Sequence, residues 1–132
     1  SIDQRVLDLG LVLPAPIQLP PGVSVPLVMV KIVGSRAIVS GHGPQNDDGS
    51  IAEPLGQVGD AVSLEEAVVA ARKVALTMLG TLQRELGSLD KIKTWISQNT
   101  CQIYINWKSS KERCAGKFIL GCVLGVSTYI FL

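Results

Sequence analysis

Apolar residues recur at three- and four-residue spacing from Leu64 to Leu86, through Ala67, Val68, Ala71, Val74, Ala75, Met78, Leu79 and Leu82. That period predicts one long amphipathic helix. Ser63 and Glu66 have the spacing of a capping box, Glu65 adds negative charge at the positive end of the helix dipole, and Gly87 marks the end. Arg72, Lys73, Gln83, Arg84 and Glu85 fall mostly on the other side and read as a solvated face. A shorter helix is predicted from Ser1 to about Leu9, where Ser1 and Gln4 repeat the capping-box spacing and Gly10 can take the left-handed conformation that ends it. Pro14, Pro16, Pro20 and Pro21 then hold the chain extended, so this stretch reads as a connector outside the core.

Between these helices the pattern changes. Leu27 to Val33 and Arg36 to Ser40 are almost continuously apolar, with Gly34 and Ser35 between them. A glycine at the first central position suits a two-residue type II′ turn, so a β-hairpin is expected. Lys31 interrupts a run that otherwise looks buried, which implies one open face or a face paired with another chain. Gly41 to Val62 holds Pro44, Gly49, Pro54, Gly56 and Gly59, and the Asp48-Gly49 step marks a turn. A loop of that length is either a binding segment or a solvated insertion. Past Lys93, Cys101, Ile103, Ile105 and Trp107 alternate with Gln102, Tyr104 and Asn106 as in a half-buried strand. Phe118 to Leu124 and Val126 to Leu132, divided by Gly125, have the form of another pair.

Composition divides the chain at the same point. All three cysteines and all six aromatic residues follow Lys93, whereas all seven prolines and ten of the eleven acidic residues precede Thr94. Two accounts of residues 94–132 follow: strands that complete the sheet, or a segment not selected for this fold, such as translation past a splice or frame error. The shift in residue usage favours the second. A length of 132 residues fits one domain, 1–132. The net charge of +1 gives no field to steer nucleic acid or an anionic membrane, so small molecules or protein are the expected partners. Cys101, Cys114 and Cys122 have no paired or Cys-x-x-Cys spacing, and His42 is the one imidazole available to join them, so neither a metal nor another cofactor is expected. The N-terminus lacks a signal-peptide pattern, because Asp3, Gln4, Arg5 and Asp8 interrupt it, and the uncharged run from Phe118 is shorter than a membrane span. A cytoplasmic location is expected.

The hairpin, the run Val39-Ser40-Gly41-His42-Gly43-Pro44, and Gly56-Gln57-Val58-Gly59 leading into the Ser63 helix together resemble the YjgF/RidA superfamily, also called L-PSP endoribonuclease, and its chorismate-mutase-like subgroup. Leu9 to Pro14 and the Gly87-Ser88-Leu89-Asp90 turn agree with it. The resemblance covers about residues 1–93. It implies an α+β fold with a mixed sheet packed on one face by two helices, and a homotrimer with binding clefts between neighbouring subunits. Its best-known members hydrolyse enamines and imines, releasing ammonia and a 2-keto acid. In them an arginine grips the substrate carboxylate, backbone near a Ser-Gly step approaches the reacting carbon, and a C-terminal glutamate helps place the water.

Carried over, the Ser-Gly step is Ser40 and Gly41, with His42 beside it, and these are the candidate substrate-binding residues. Glycine at 41 lets backbone come close to a ligand. Leu27 stands where deaminating members have a tyrosine. After Lys93 the only arginine is Arg113 and the only acid Glu112, in a cluster with Lys108, Lys111 and Lys117 that reads as a solvated loop, so the carboxylate-binding arginine is missing. His42 titrates in the useful range, but no neighbouring carboxylate or nucleophile orients it, which favours a loop or interface histidine bonded to backbone. Two functions follow: an imine or enamine deaminase, impaired by the missing arginine, or a non-catalytic small-molecule-binding trimer. A ribonuclease lacks the paired acid and base it needs, and chorismate rearrangement lacks basic residues to hold a dicarboxylate.

Overall fold

The computed structural model describes residues 1–24, 26, 28–101 and 125–132. Helix α1 spans Ile2–Asp8, strands β1 and β2 span Val30–Val33 and Arg36–Val39, and helix α2 spans Leu64–Leu86. A 3-10 turn at Leu89–Lys91 leads to β3, Thr94–Cys101, and the chain closes with β4, Gly125–Phe131.

Helix α2 begins and ends where its caps predict. The Ser63 hydroxyl accepts from the Glu66 N–H at 3.2 Å, the Glu66 carboxylate accepts from the Ser63 N–H at 2.8 Å, and Gly87 closes the helix at φ 80°. These bonds to Ser63 hold the Glu66 carboxyl below the usual carboxylate range. Ser63→Ala removes the acceptor at the N-cap and is expected to lower stability by about 1 kcal/mol, read as a shift in urea midpoint with unchanged slope.

Only the later part of the predicted apolar stripe is buried. Val74, Met78, Leu82 and Leu86 join the core, whereas Leu64, Val68 and Ala71 remain exposed. The solvated face also needs correction, because three of its members have partners. Lys73 donates to Asn46 Oδ1 at 2.6 Å, Gln83 to Asp3 Oδ1 at 2.9 Å, and Arg84 to the Pro14 carbonyl at 2.8 Å.

Helix α1 keeps half of its predicted capping box. Ser1 accepts from the Gln4 N–H, but the Gln4 side chain bonds to Asp8 instead of reaching back. Asp3 ties the helix to the end of α2, accepting from Ser88, Gln83 and the Leu89 N–H, and these bonds hold its carboxyl below the usual range. The proline connector is nearer the core than expected. Pro14 is buried and Leu13 packs against the core cluster, since extended backbone there is pinned by Arg84 and by Ala15 N–H donating to Asp47 O at 2.9 Å.

The hairpin forms with Val33 opposite Arg36 as its closing pair. Gly34 sits at φ 58° and Ser35 outside positive φ, the combination a type II′ turn requires. Strand β1 begins at Val30, three residues later than the apolar run, and Leu27 lies outside the described residues. Among the described residues the sheet has four strands in the order β1-β2-β4-β3, paired antiparallel throughout instead of mixed.

β4 lies inside the sheet, between β2 and β3. Thr128 to Phe131 pairs with β2 on one side and Gly125 to Phe131 with β3 on the other, while 118–124 lie outside the described residues, as do Gln102 to Trp107 and Arg113. Ala37 lies opposite Ile130, and Ile130 opposite Trp95. Ile130 is 0% exposed and packs with Val30, Ala37, Val39 and the buried side of α2. Residues 94–101 and 125–131 are thus strands of this sheet.

Candidate functional site

Ser40 directly continues β2. Its N–H donates to Met29 O at 2.9 Å and its hydroxyl to Val28 O at 2.6 Å, so both groups hold the chain that enters β1. Gly41, next along, is exposed. His42 then turns inward and is 1% exposed. Three successive residues thus occupy three environments: Ser40 is half-buried, Gly41 exposed and His42 buried.

The imidazole is held at both nitrogens. Nδ1 lies 2.8 Å from Ser40 O, and Nε2 lies 3.0 Å from the Thr81 hydroxyl on α2. Burial lowers the His42 pKa from its ordinary value and the positive charge of Arg84 lowers it further, while the Ser40 carbonyl acts the other way. The neutral imidazole is favoured. Arg84 reaches the same hydroxyl, donating to Thr81 Oγ1 at 3.2 Å, and Thr81 lies 3.1 Å from the Thr77 carbonyl one turn earlier.

Sequence reasoning missed Thr81 and Arg84. A signal was present: Thr77 and Thr81, four residues apart, put two hydroxyls among the apolar residues of the helix's buried side, where each requires a partner. Thr77 finds the Lys73 carbonyl at 2.8 Å.

Beyond His42 the long loop folds tightly onto its surroundings. Gln45 and Ile51 form an antiparallel bridge, Ala52 N–H donates to Pro44 O at 3.0 Å, and the buried Gln45 amide donates to Gly49 O at 2.9 Å. Asp48 accepts from the Ser50 N–H and hydroxyl, which hold its carboxyl below the usual range. Gln18 clamps the tip, its N–H donating to Gly49 O at 3.0 Å and its amide to Asp48 O at 2.7 Å. This part of the loop is packed, not a solvated insertion. A surface concavity of about 360 Å³ is lined by Asn46, Asp47, Asp48 and Lys73, away from the Ser-Gly step. Lys73 and Asn46 already bond to each other there. Among the described residues no three His, Cys, Asp or Glu side chains gather to hold a metal ion, and no helix is long and apolar enough to cross a membrane.

No family model matches the chain. Over 73 residues it is 34% identical to protein TCP17 of Trypanosoma cruzi, a match that covers 55% of this chain and 42% of that protein. The chain thus spans less than half the length of the curated relative it matches. Two solved structures are similar throughout. A candidate endoribonuclease from Shewanella oneidensis MR-1 superposes with a TM-score of 0.73 at 19% identity, over 100% of this chain and 99% of its own. A protein of unknown function from Agrobacterium tumefaciens gives 0.71 at 22% identity, over 99% and 92%. The likeness in fold therefore runs past Lys93, where the sequence motifs stop. The chain has the α+β fold of these two proteins.

Proposed function

We propose that this chain is a RidA-like protein of the YjgF superfamily that binds a small metabolite at the Ser40-Gly41 step and hydrolyses reactive imines or enamines. The observation that carries the reading is the exposure of Gly41 between a serine whose hydroxyl is engaged and a histidine that is buried. Backbone without a side chain is what remains open to a ligand, and close approach of backbone is the use a glycine there has. Water adds to the carbon of the C=N bond, and the resulting carbinolamine collapses to a 2-keto acid with loss of ammonia. The groups of this chain orient the substrate, because His42 is committed to Ser40 and Thr81. The fold shared with the Shewanella oneidensis protein supports the family reading, and a homotrimer in the cytoplasm, with the cleft completed by a neighbouring subunit, belongs to the same proposal.

A second reading, a binding scaffold without turnover, is favoured by the guanidinium groups. Arg84 is committed to Pro14 and Thr81, and after Lys93 the sequence offers a single arginine, Arg113, within the lysine-rich run. One experiment separates the two. A 2-imino acid generated in situ by an amino-acid oxidase is supplied to the protein and to its Gly41→Val variant, and ammonia release is followed. Deamination predicts release above the uncatalysed rate that falls at least tenfold in the variant. Binding alone predicts a thermal shift with 2-keto acids, lost in Gly41→Val, and no added ammonia. Absence of both responses would remove the Ser40-Gly41 site.

A further inference from the structure

We propose that His42 and Thr81 form a proton-operated latch between the segment following β2 and helix α2, closed when the imidazole is neutral and released when it takes a second proton. The latch is read from the surroundings of the imidazole and stands whether or not Gly41 meets a substrate.

The donor and acceptor roles fix its two states. Ser40 O can only accept, so at 2.8 Å the Nδ1 atom must carry hydrogen. In the neutral ring Nε2 then has only a lone pair, and the Thr81 hydroxyl must donate to it across 3.0 Å. Arg84, donating to the same oxygen, leaves Thr81 satisfied in that orientation. A second proton on Nε2 reverses the arrangement. Nε2 becomes a donor, and Thr81 must accept from it and turn its own hydrogen to the Thr77 carbonyl, 3.1 Å away. One hydroxyl cannot serve Nε2 and Thr77 O together.

Hydrogen bonding is satisfied either way, so the surrounding charge and burial decide which state the fold prefers. Among the described residues, the charge facing His42 from α2 is that of Arg84, and its own segment and β2 meet it with the Ser40 carbonyl. An imidazolium in a site 1% exposed to water, near a guanidinium, is the disfavoured species. A released segment returns the ring to water and takes the proton more readily. Closure is therefore complete above the ordinary imidazole value of 6.5 and weakens as the pH falls below it. The Gln45–Ile51 bridge and the bonds from Ala52 to Pro44 and from Asn46 to Ser50 lie just beyond the latch and report its opening.

The chain has one histidine, so long-range proton–nitrogen NMR of the labelled full chain reads the ring without ambiguity. Expected are the Nδ1–H tautomer at neutral pH and a titration midpoint below that of a free imidazole. Over the same pH range the Asn46 and Ala52 amides should lose protection several-fold, after correction for intrinsic exchange. Arg84→Gln should raise the midpoint and retain the tautomer. His42→Gln should make the protection of these amides independent of pH in that range. An Nε2–H tautomer, a midpoint at or above the free value, or the same pH-dependent loss in His42→Gln overturns the latch. Should His42→Gln not fold, the tautomer and the Arg84→Gln shift decide it. None of these readouts uses a substrate, so they separate failure of the latch from failure of the proposed activity.

Discussion

Ile130→Ala is expected to lower stability by about 2–5 kcal/mol. The side chain is 0% exposed, and its backbone lies between the strand carrying Ala37 and the strand carrying Trp95. Truncation leaves a cavity among the core side chains of Val30, Ala37, Val39 and the buried side of α2, which cannot close without moving a paired strand or the helix, so the upper half of that range applies. Ile96→Ala, 51% exposed on β3, serves as the matched control and is expected within about 0.5 kcal/mol of the parent. Urea unfolding of both variants checks the difference in midpoint and slope. A loss at Ile130 no larger than at Ile96 would mean that β4 does not occupy the middle of the sheet. Typical domains have about 5–15 kcal/mol of total stability. The expected loss is therefore a large share, and the tail becomes a requirement of folding.

Gly49→Ala should be damaging for a different reason. Gly49 sits at φ 88°, and a Cβ there would lie 2.2 Å from Pro16 O and 3.1 Å from Ala15 O. Both atoms are backbone, so no rotamer change relieves the overlap. The left-handed conformation itself costs a non-glycine residue about 1–2 kcal/mol. The overlap adds loss of the bonds by which residues 15–18 hold the loop: Ala15 to Asp47 O and Gln18 to Gly49 O and Asp48 O. A total of about 3–4 kcal/mol is expected. Gly59→Ala isolates the overlap, because Gly59 has a similar φ of 89° and nothing within 4 Å of the added carbon. Its loss should stay near the strain value alone. Equal losses in the two variants, measured by urea unfolding, would show that the proline connector does not press on the loop.

The two substitutions test the segments whose position was least visible from local pattern. Residues 94–132 differ in composition from the rest, and composition reports on a chain's environment only through averages. It cannot report which strand a segment pairs with. β4 is central because Ala37, across the hairpin from Ile32, finds its second neighbour in Ile130, a contact between residues ninety-three positions apart. The proline connector lies nearer the core than its composition implies for a similar reason. Proline excludes helix, but it does not exclude burial, and Pro14 is covered once Arg84 reaches its carbonyl from α2.

At the candidate site the Ser40-Gly41-His42 motif located the turn out of β2, yet it left open which residue faces solvent. A histidine after a Ser-Gly step has the same sequence whether it points to a ligand or to a helix. The choice was made by Thr81, thirty-nine residues away, whose hydroxyl lies at the right height on α2 to meet Nε2. Lys73, Gln83 and Arg84 were assigned to solvent because helical periodicity sorts faces by average polarity. Long side chains at the border of a face can still reach a carbonyl or an amide beside it.

The amino-acid sequence alone determined the features that arise within a few residues: the capped ends of α2, the two-residue hairpin turn, and the helical period of the apolar stripe on α2. Caps, turns and periodicity are local, because their hydrogen bonds and steric limits involve neighbours in the chain. Only the tertiary structure decided that the last strand lies between β2 and β3, that Gly49 is pressed against the Pro16 carbonyl, and that His42 faces Thr81 and Arg84. Those outcomes depend on which distant segments meet when apolar surface is buried together, and burial is non-directional until packing and hydrogen bonding select one arrangement.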